Sequence, residues 1–318
     1  MPTLITLDQI SAARQVIADR IHHTPTISAG YLGQLAQVRL QLKLELLQKT
    51  GSFKVRGVLN NLHHLSMAEK QKGVITLSAG NHAQALAWAA GQLNIPATVV
   101  MPATAVRSKV EATQGYGGQV ILTAENLLDT CLQLQKERDL TLVHPFDHPM
   151  TIAGQGTVGL EVVEAVPDVE VVIVGVGGGG LISGVGAALK SSKPAVRIIG
   201  VEPEGAPTMS HSLARGEPVH LDRLNTIADG LAAPFVGPHT LAHTQAYVDQ
   251  MVLVSDDQIG QAMRLIIERC KVVAEPAAAA TVAALLSGKI DLPAGAKVVC
   301  LLSGGNVDLD SLQRLLAD

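Results

Sequence analysis

Short apolar stretches alternate with longer amphipathic stretches along most of this chain of 318 residues. An apolar run of about four to eight residues is typical of a buried strand, and apolar residues spaced three and four apart are typical of a helix. The pattern predicts strands at residues 40–46, 73–77, 97–101, 119–122, 141–143, 169–174, 196–201, 251–254 and 297–302. It predicts helices at residues 6–20, 53–65, 81–93, 108–116, 126–138, 152–166, 256–270 and 276–286, and one after residue 180.

The alternation of strands and helices predicts an α/β fold in which largely parallel sheets are covered by helices on both faces. The chain exceeds the usual size of a single hydrophobic core, so two lobes are expected. Residues 71–148 contain three or four strand–helix units and are predicted to form a small domain. Residues 1–70 and 149–318 are predicted to form the large domain. Residues 211–248, which are rich in glycine, proline and histidine, are expected to be a loop-rich cover.

Composition excludes several classes of protein. Apolar residues make up 47% of the chain and the formal net charge is −4, which indicates a globular protein and gives no support to nucleic-acid binding. The cysteines, Cys131, Cys270 and Cys300, are far apart in the sequence, so we expect no disulfide framework and a reducing cytoplasmic location. Residues 171–189 are uncharged, but their seven glycines predict a poor membrane-spanning helix. The first residues lack the basic and apolar regions of a signal peptide.

A run of four glycines at residues 177–180 is the most informative stretch, because it separates a predicted strand from a predicted helix. Glycine lets backbone amides approach a ligand closely, and amides at a helix N-terminus favour an anion such as a phosphate. The stretch also fits the dinucleotide pattern G-x-G-x-x-G from Gly175 to Gly180, and Glu202 lies about where a ribose-binding acid would follow. A simple phosphate site and the NAD site of an oxidoreductase therefore both remain open.

Lys54 is the candidate for covalent chemistry. Thr50 or Ser52 is expected to cap the next helix, which places Lys54 in its first turn. The helix dipole and the nearby Arg56 disfavour a charged amine there, and Schiff-base chemistry requires a neutral amine. A solvated surface lysine is the alternative.

Two further turns of small residues follow predicted strands. Residues 78–82, Ser-Ala-Gly-Asn-His, could bind a second anion at a helix N-terminus, and Ser303 could hydrogen-bond a buried ring nitrogen. An ordinary capped or glycine-rich turn is the alternative for each. Glu202 and Glu204 could bind a hard cation or form a solvated rim. The chain has neither the G-x-S-x-G motif of a serine hydrolase nor the lysine of a P-loop.

Taken in order, these motifs resemble the fold-type-II pyridoxal-phosphate (PLP) enzymes. Residues 52–54, 78–82, 177–180 and 303–306 carry the family's four motifs in the family's order. The chain is most similar to the branch of threonine and serine dehydratases and serine racemases, and within it to the short catabolic threonine dehydratases. The resemblance extends over nearly the whole chain and implies a two-lobed fold like that of tryptophan synthase β.

The resemblance also implies roles for individual residues. Lys54 would form a Schiff base with the cofactor aldehyde and act as the catalytic base, Asn81 would bond the ring hydroxyl, and Ser303 would face the pyridine nitrogen. The residues expected to bind the cofactor are Phe53, Lys54, Asn81, Gly177, Gly178, Gly179, Gly180, Leu181 and Ser303. The residues expected to bind the substrate carboxylate are Ser78, Ala79, Gly80, Asn81 and His82.

The implied reaction is β-elimination from L-threonine or L-serine, which gives a 2-oxo acid and ammonia. The alternatives are another hydroxy amino acid such as 3-hydroxyaspartate, serine racemisation, and a catalytically silent binding protein. Ala79 stands where racemases of this branch carry a serine, which disfavours racemisation, and Phe146 follows the dehydratase pattern.

A divalent cation, Mg²⁺ or Ca²⁺, is a further implication of the resemblance. Glu202 and Ala206 match two ligand positions of the racemase branch, but Thr208 replaces the aspartate of the third, and Glu204 is a possible substitute. The expected partners are a small amino-acid substrate and further copies of the chain, as a dimer or tetramer. No nucleic-acid or membrane partner is expected.

Overall fold

The computed structural model describes residues 2–317. Those residues contain ten strands, β1 to β10 in chain order: Thr26–Ser28, Arg39–Leu44, Val74–Leu77, Ala97–Pro102, Gln119–Thr123, Thr141–Leu142, Val171–Gly175, Arg197–Pro203, Gln250–Val254 and Lys297–Leu302. They also contain fourteen α-helices, α1 to α14: Leu7–Ile17, Gly30–Leu35, Lys54–His63, Met67–Lys72, Asn81–Gln92, Arg107–Gly115, Leu127–Glu137, Pro149–Ala165, Gly180–Ser192, Thr208–Arg215, Pro238–Tyr247, Asp256–Leu265, Pro276–Leu286 and Leu309–Ala317.

The strands form two sheets, which confirms the predicted α/β class. The large sheet has the order β1-β2-β10-β7-β8-β9, and only β1 runs antiparallel to its neighbour. The small sheet has the order β5-β4-β3-β6 and is parallel throughout. All four strands of the small sheet lie within residues 71–148, although the domain boundaries stay a prediction. None of the helices in residues 2–317 combines the length and apolar character that a bilayer crossing requires.

Most predicted elements are confirmed to within a few residues, and the differences have local causes. The predicted strand at residues 297–302 is β10, and the predicted helix at residues 276–286 is α13. The expected loop-rich cover at residues 211–248 is partly wrong, because it includes α11 and most of α10. Pro238 opens α11 at a first-turn position, where a missing amide hydrogen costs nothing. Strand β1 and five helices, α2, α4, α10, α11 and α14, were not predicted. Strand β1 and helices α2 and α4 each span six residues or fewer, which is too few to show a clear period.

The first turns of α1 and α3 differ in how they are capped. Thr6 caps α1 and forms a capping box with Gln9. Neither Thr50 nor Ser52 caps α3, because α3 begins at Lys54 and its N-cap residue makes no side-chain hydrogen bond. Ser52 instead forms a β-bridge with Gly304, which turns the chain into the helix by backbone pairing. The hydroxyls of both residues are buried without a hydrogen-bond partner among the residues that the structure describes.

A buried group of charged side chains joins β2, α3 and α8. Arg56 of α3 donates to both oxygens of Glu45 at 2.8 Å and to both oxygens of Glu161 at 2.7 and 2.9 Å. Lys43 of β2 donates to Glu161 at 2.5 Å and to the carbonyl of Thr24 at 2.6 Å. Burial alone would raise the pKa of Glu161, but the charges and hydrogen bonds of Arg56 and Lys43 lower it. The strand predicted at residues 40–46 is confirmed as β2, and its Lys43 is fully buried against a carboxylate.

We predict that this buried charge group is a major determinant of stability. Glu161→Gln should lower the free energy of unfolding by roughly 3 kcal/mol or more, because it leaves Arg56 and Lys43 with an uncompensated buried charge. Glu164→Gln on the same helix is the control, since Glu164 pairs with Arg14 where both side chains are about half exposed. That change should cost at most about 1 kcal/mol. Urea unfolding of both variants measures the difference, and equal losses would contradict the prediction.

Candidate active site

A cavity of about 670 Å³ lies where strands of both sheets end. Ligands of parallel sheets commonly bind at the carboxyl ends of the strands, and β3, β7 and β10 all end at this cavity. All predicted cofactor and substrate residues line it: Phe53, Lys54, Ser78, Ala79, Gly80, Asn81, His82, Gly177, Gly178, Gly179, Gly180, Leu181 and Ser303. Glu202 and Ala206 do not. The fold therefore brings together four sequence motifs that are up to about 250 residues apart.

The glycine run forms a cradle of free amides. No backbone amide from Gly177 to Ile182 donates a hydrogen bond to any residue that the structure describes. Gly179 has a φ of +87°, a conformation that favours glycine, and a side chain on Gly178 would overlap the ring of Phe146. Free amides at the start of α9 fit a phosphate, because they complement its charge without a competing side chain.

Lys54 is the first residue of α3, and its half-buried amine faces the cavity. Its Nζ donates to the carbonyl oxygen of Pro145 at 3.0 Å and lies 5.2 Å from the centre of the Phe53 ring. Burial lowers the pKa of Lys54 to about 8, and the negative charge of Glu275 opposes this effect. Arg56 was predicted to disfavour the charged form of Lys54. This prediction is wrong, because the charge of Arg56 is neutralised by its two carboxylate partners. Desolvation is the main reason that a neutral amine is accessible.

Asn81 belongs to a chain of polar side chains that the sequence analysis missed. Asn81 Nδ2 donates to Glu275 Oε1 at 2.7 Å, and its Oδ1 accepts from Asn306 Nδ2 at 2.7 Å. One N–H of Asn81 therefore remains for a ligand in the cavity. Burial, helped by the charge of Asp229, raises the pKa of Glu275 to about 7. The one available signal for Glu275 was an acidic residue directly before Pro276, at a helix start.

Residues 78–82 form a second amide cradle at the start of α5. The amides of Ala79, Asn81, His82 and Ala83 donate to no acceptor within residues 2–317. His82 is buried, its Nε2 lies 3.2 Å from the carbonyl oxygen of Val143, and burial lowers the pKa of its ring to about 3. His82 is thus neutral, and any anion bound here would be held by backbone amides rather than by a histidine cation.

Ser303 follows β10 and has a free hydroxyl on the cavity wall. Its carbonyl accepts the amide of Phe53 at 3.0 Å, which fixes the backbone beside Lys54. Its hydroxyl has no hydrogen-bond partner among the described residues and is not enclosed, so it is available to a ligand. A lysine amine, a phosphate cradle and a free hydroxyl on one cavity fit a phosphorylated pyridine aldehyde.

Comparison with known proteins identifies the family. The family model described as "Pyridoxal-phosphate dependent enzyme" matches residues 17–304. The chain belongs to this family. It is 45% identical over 316 residues to the L-threonine ammonia-lyase of Thermotoga maritima, which covers 98% of this chain and 78% of that protein. It is also 45% identical over 319 residues to the catabolic L-threonine dehydratase TdcB of Staphylococcus aureus, which covers 98% of this chain and 92% of that protein.

The fold is shared with solved structures of the same family. Maize serine racemase superimposes with a TM-score of 0.93 at 39% identity, which covers 98% of this chain and 97% of the other. Family membership confirms the fold-type-II prediction and pyridoxal phosphate as the cofactor. It also selects the phosphate interpretation of the glycine run over the dinucleotide interpretation.

Glu202 lies outside the cavity and is already engaged. Its carboxylate accepts from the amides of Met209 and Ser210 at 2.6 and 2.9 Å and from the Ser210 hydroxyl at 2.5 Å, at the start of α10. Burial raises its pKa to about 7. Glu204 pairs with Lys289 at 3.3 Å, and no three His, Cys, Asp or Glu residues cluster as metal ligands within residues 2–317. The divalent cation at Glu202 and Ala206 stays a prediction.

We predict that the rate at which Lys54 takes up pyridoxal phosphate has a pH midpoint below the pKa of an ordinary lysine. The rate of cofactor uptake by the cofactor-free protein should rise with pH around about 8, the pKa of Lys54, because only the neutral amine attacks an aldehyde. Glu275→Gln should move this midpoint to lower pH, since it removes a charge that favours the ammonium form. Stopped-flow absorbance measures the rate. Glu111→Gln, on the exposed face of α6, is the control, and a Glu275→Gln midpoint that stays with it or rises would refute this account.

We also predict that Gly178 cannot carry a side chain. Gly178→Ala should raise the dissociation constant of pyridoxal phosphate roughly tenfold or more, because the new methyl group must displace Phe146 or the amide cradle. Gly115→Ala in α6 is the control, since a methyl group there meets no atom within 4 Å. Fluorescence titration measures both constants. Equal affinities in the two variants would show that the cradle tolerates a side chain.

Proposed function

We propose that this protein is a pyridoxal-phosphate dependent ammonia-lyase that acts on L-threonine, L-serine or both. It removes the β-hydroxyl as water, and the product decomposes to a 2-oxo acid and ammonia. The observation that carries the proposal is the Lys54 amine, with a pKa near 8, in a cavity that also contains two separate amide cradles. The names of the two similar curated proteins, a threonine ammonia-lyase and a threonine dehydratase, support the same reaction.

The two cradles suit the two anionic groups of this chemistry. The amides from Gly177 to Ile182 would hold the cofactor phosphate, and those of Ala79, Asn81, His82 and Ala83 would hold the substrate carboxylate. Bound pyridoxal phosphate supplies an electron sink that makes the Cα proton of an amino acid removable. Ser303, the residue expected at the ring nitrogen, is uncharged, so it would hold a proton there less firmly than a carboxylate and would weaken that sink. A weak sink would suit elimination, in which the leaving group takes up the electron pair at once.

Lys54 would act both as the attachment point and as the base. Its lowered pKa leaves a much larger neutral fraction near neutral pH than an ordinary lysine has, and a general base must be neutral to accept a proton. The hydrogen bond to Pro145 fixes the amine on the cavity wall before any ligand arrives. A base that is already in position acts faster, because less orientational freedom is lost when the substrate binds.

Serine racemisation is the second candidate, because the similar maize structure is a serine racemase. Racemisation by two bases needs a proton donor on the substrate face opposite Lys54. Ala79, the residue expected on that face, has only a methyl group and can neither donate nor accept a proton. Elimination is therefore the favoured outcome once the Cα proton has left.

Direct assay tests the proposed function. The purified protein should bind pyridoxal phosphate and release 2-oxobutyrate from L-threonine or pyruvate from L-serine, each with ammonia. Borohydride treatment followed by mass spectrometry should find the cofactor on Lys54, and Lys54→Ala should lower the rate at least about 100-fold. Lys49→Ala, five residues earlier on an exposed loop, is the control and should keep the wild-type rate. A protein that binds no pyridoxal phosphate, or that forms D-serine as fast as pyruvate, would overturn the proposal.

We extend the proposal to a homo-oligomer located in the cytoplasm. Exposed apolar side chains, among them Tyr31, Leu35 and Leu47, support self-association, because such groups gain from leaving water. The unpaired state of Cys131, Cys270 and Cys300 supports a reducing location.

A further inference from the structure

His144 has a fixed tautomer on the cavity wall. Its Nδ1 accepts the amides of Phe146 at 3.3 Å and Asp147 at 2.9 Å, so this nitrogen carries no proton. Burial lowers the pKa of His144 to about 4, and the ring is therefore neutral near neutral pH. A neutral imidazole has one N–H, which must then be on Nε2. The backbone of the next three residues thus selects which nitrogen can donate.

The Nε2–H donor of His144 faces the same cavity as the amine of Lys54. Nε2 lies on the side of the ring away from Nδ1, has no acceptor among the described residues, and is not enclosed by protein. The ring is held edge-on against Phe146, with 4.7 Å between the ring centres. The next residue, Pro145, accepts the hydrogen bond from Lys54 at 3.0 Å. A rigid neutral donor and the catalytic amine therefore share one segment of chain.

We propose that the Nε2–H of His144 donates a hydrogen bond to the β-hydroxyl oxygen of the substrate and is a catalytic residue of the elimination. This inference rests on the proposed function. The hydrogen bond stabilises the negative charge that grows on the oxygen as the Cβ–O bond breaks, as fixed donors do for other developing oxyanions.

His144 keeps its proton during this step. A neutral imidazole is too weak an acid to give up its last N–H, so it polarises the oxygen without protonating it. The Cα–H bond breaks, its proton moves to Lys54, and its electron pair forms the Cα–Cβ double bond. The Cβ–O bond breaks and its electron pair stays on the hydroxyl oxygen. This oxygen accepts the proton from Lys54 and departs as water. Nothing is oxidised or reduced, and His144 is unchanged.

Two variants separate the two nitrogens of the ring. His144→Asn places an amide oxygen near the position of Nδ1 and keeps the turn, but it has no donor at the position of Nε2. His144→Gln places an amide nitrogen near Nε2 but loses the turn acceptor. The matched control is His148→Asn, because His148 also accepts a backbone amide through Nδ1, that of Met150, and does not line the cavity.

Two substrates separate a hydrogen bond to the leaving oxygen from a general loss of structure. L-Serine must lose hydroxide or water, whereas β-chloro-L-alanine loses chloride, which needs no proton and accepts hydrogen bonds weakly. His144→Asn holoenzyme should lose roughly 100-fold in kcat on L-serine with little change in KM. It should lose less than about threefold on β-chloro-L-alanine. His144→Gln should recover part of the L-serine rate, and His148→Asn should match the wild type on both substrates.

The outcomes that overturn the inference are distinct. An equal loss on both substrates would make His144 a merely structural residue, and no loss on L-serine would exclude the hydrogen bond. Cofactor absorbance and thermal unfolding of each variant show whether the fold and the cofactor are retained. If His144→Asn fails to fold, a loss on L-serine in His144→Gln that exceeds its loss on β-chloro-L-alanine supports the inference, and equal losses on the two substrates overturn it. A wild-type protein inactive on every hydroxy amino acid would refute the proposed function instead.

Discussion

The position of the reactive amine depends on the buried pairing of Arg56 with Glu45 and Glu161. Arg56 lies two residues after Lys54 on α3, and its carboxylate partners come from the end of β2 and from α8. A guanidinium that is fully buried cannot move without leaving charge unpaired, so the helix has one stable placement. The first turn of α3, and Lys54 with it, is therefore fixed by charges that lie outside the cavity. The position of the Lys54 amine in the cavity therefore depends on this buried charge group.

The parallel sheets provide the second constraint. Every parallel strand must be followed by a crossover, so helix N-termini gather where the strands end. Here α5 and α9 begin at one cavity, and each presents amides that have no acceptor in residues 2–317. Two cradles of free amides thus follow from topology before any charged side chain is added. The amine of Lys54, the hydroxyl of Ser303 and the imidazole of His144 line the same cavity.

Sequence patterns predicted the parts of the site that are local and missed those that depend on long-range contacts. Lys54 and the glycine run were recognisable because each stands next to its own helix start. Glu275 was missed, because its role depends on Asn81, which is 194 residues away in the sequence. The caps at Thr50 and Ser52 were predicted wrongly, because a backbone bridge to Gly304 starts the helix instead. The fold class was predictable throughout, since burial of alternating strands and helices needs no such distant partner.

The polar chain through Asn81 makes that position directional. Its oxygen must face Asn306, which also donates to the carbonyl of Thr50, and its nitrogen must face Glu275. An aspartate is almost the same shape but has no donor, so it would place two carboxylates in contact and force one of them to bind a proton. A single-atom exchange at residue 81 would therefore reverse the polarity of a chain that links α5 to the segments before α3 and after β10. At this position the amide is required because it places a donor on one side and an acceptor on the other, a property that does not follow from its size or its hydrophilicity.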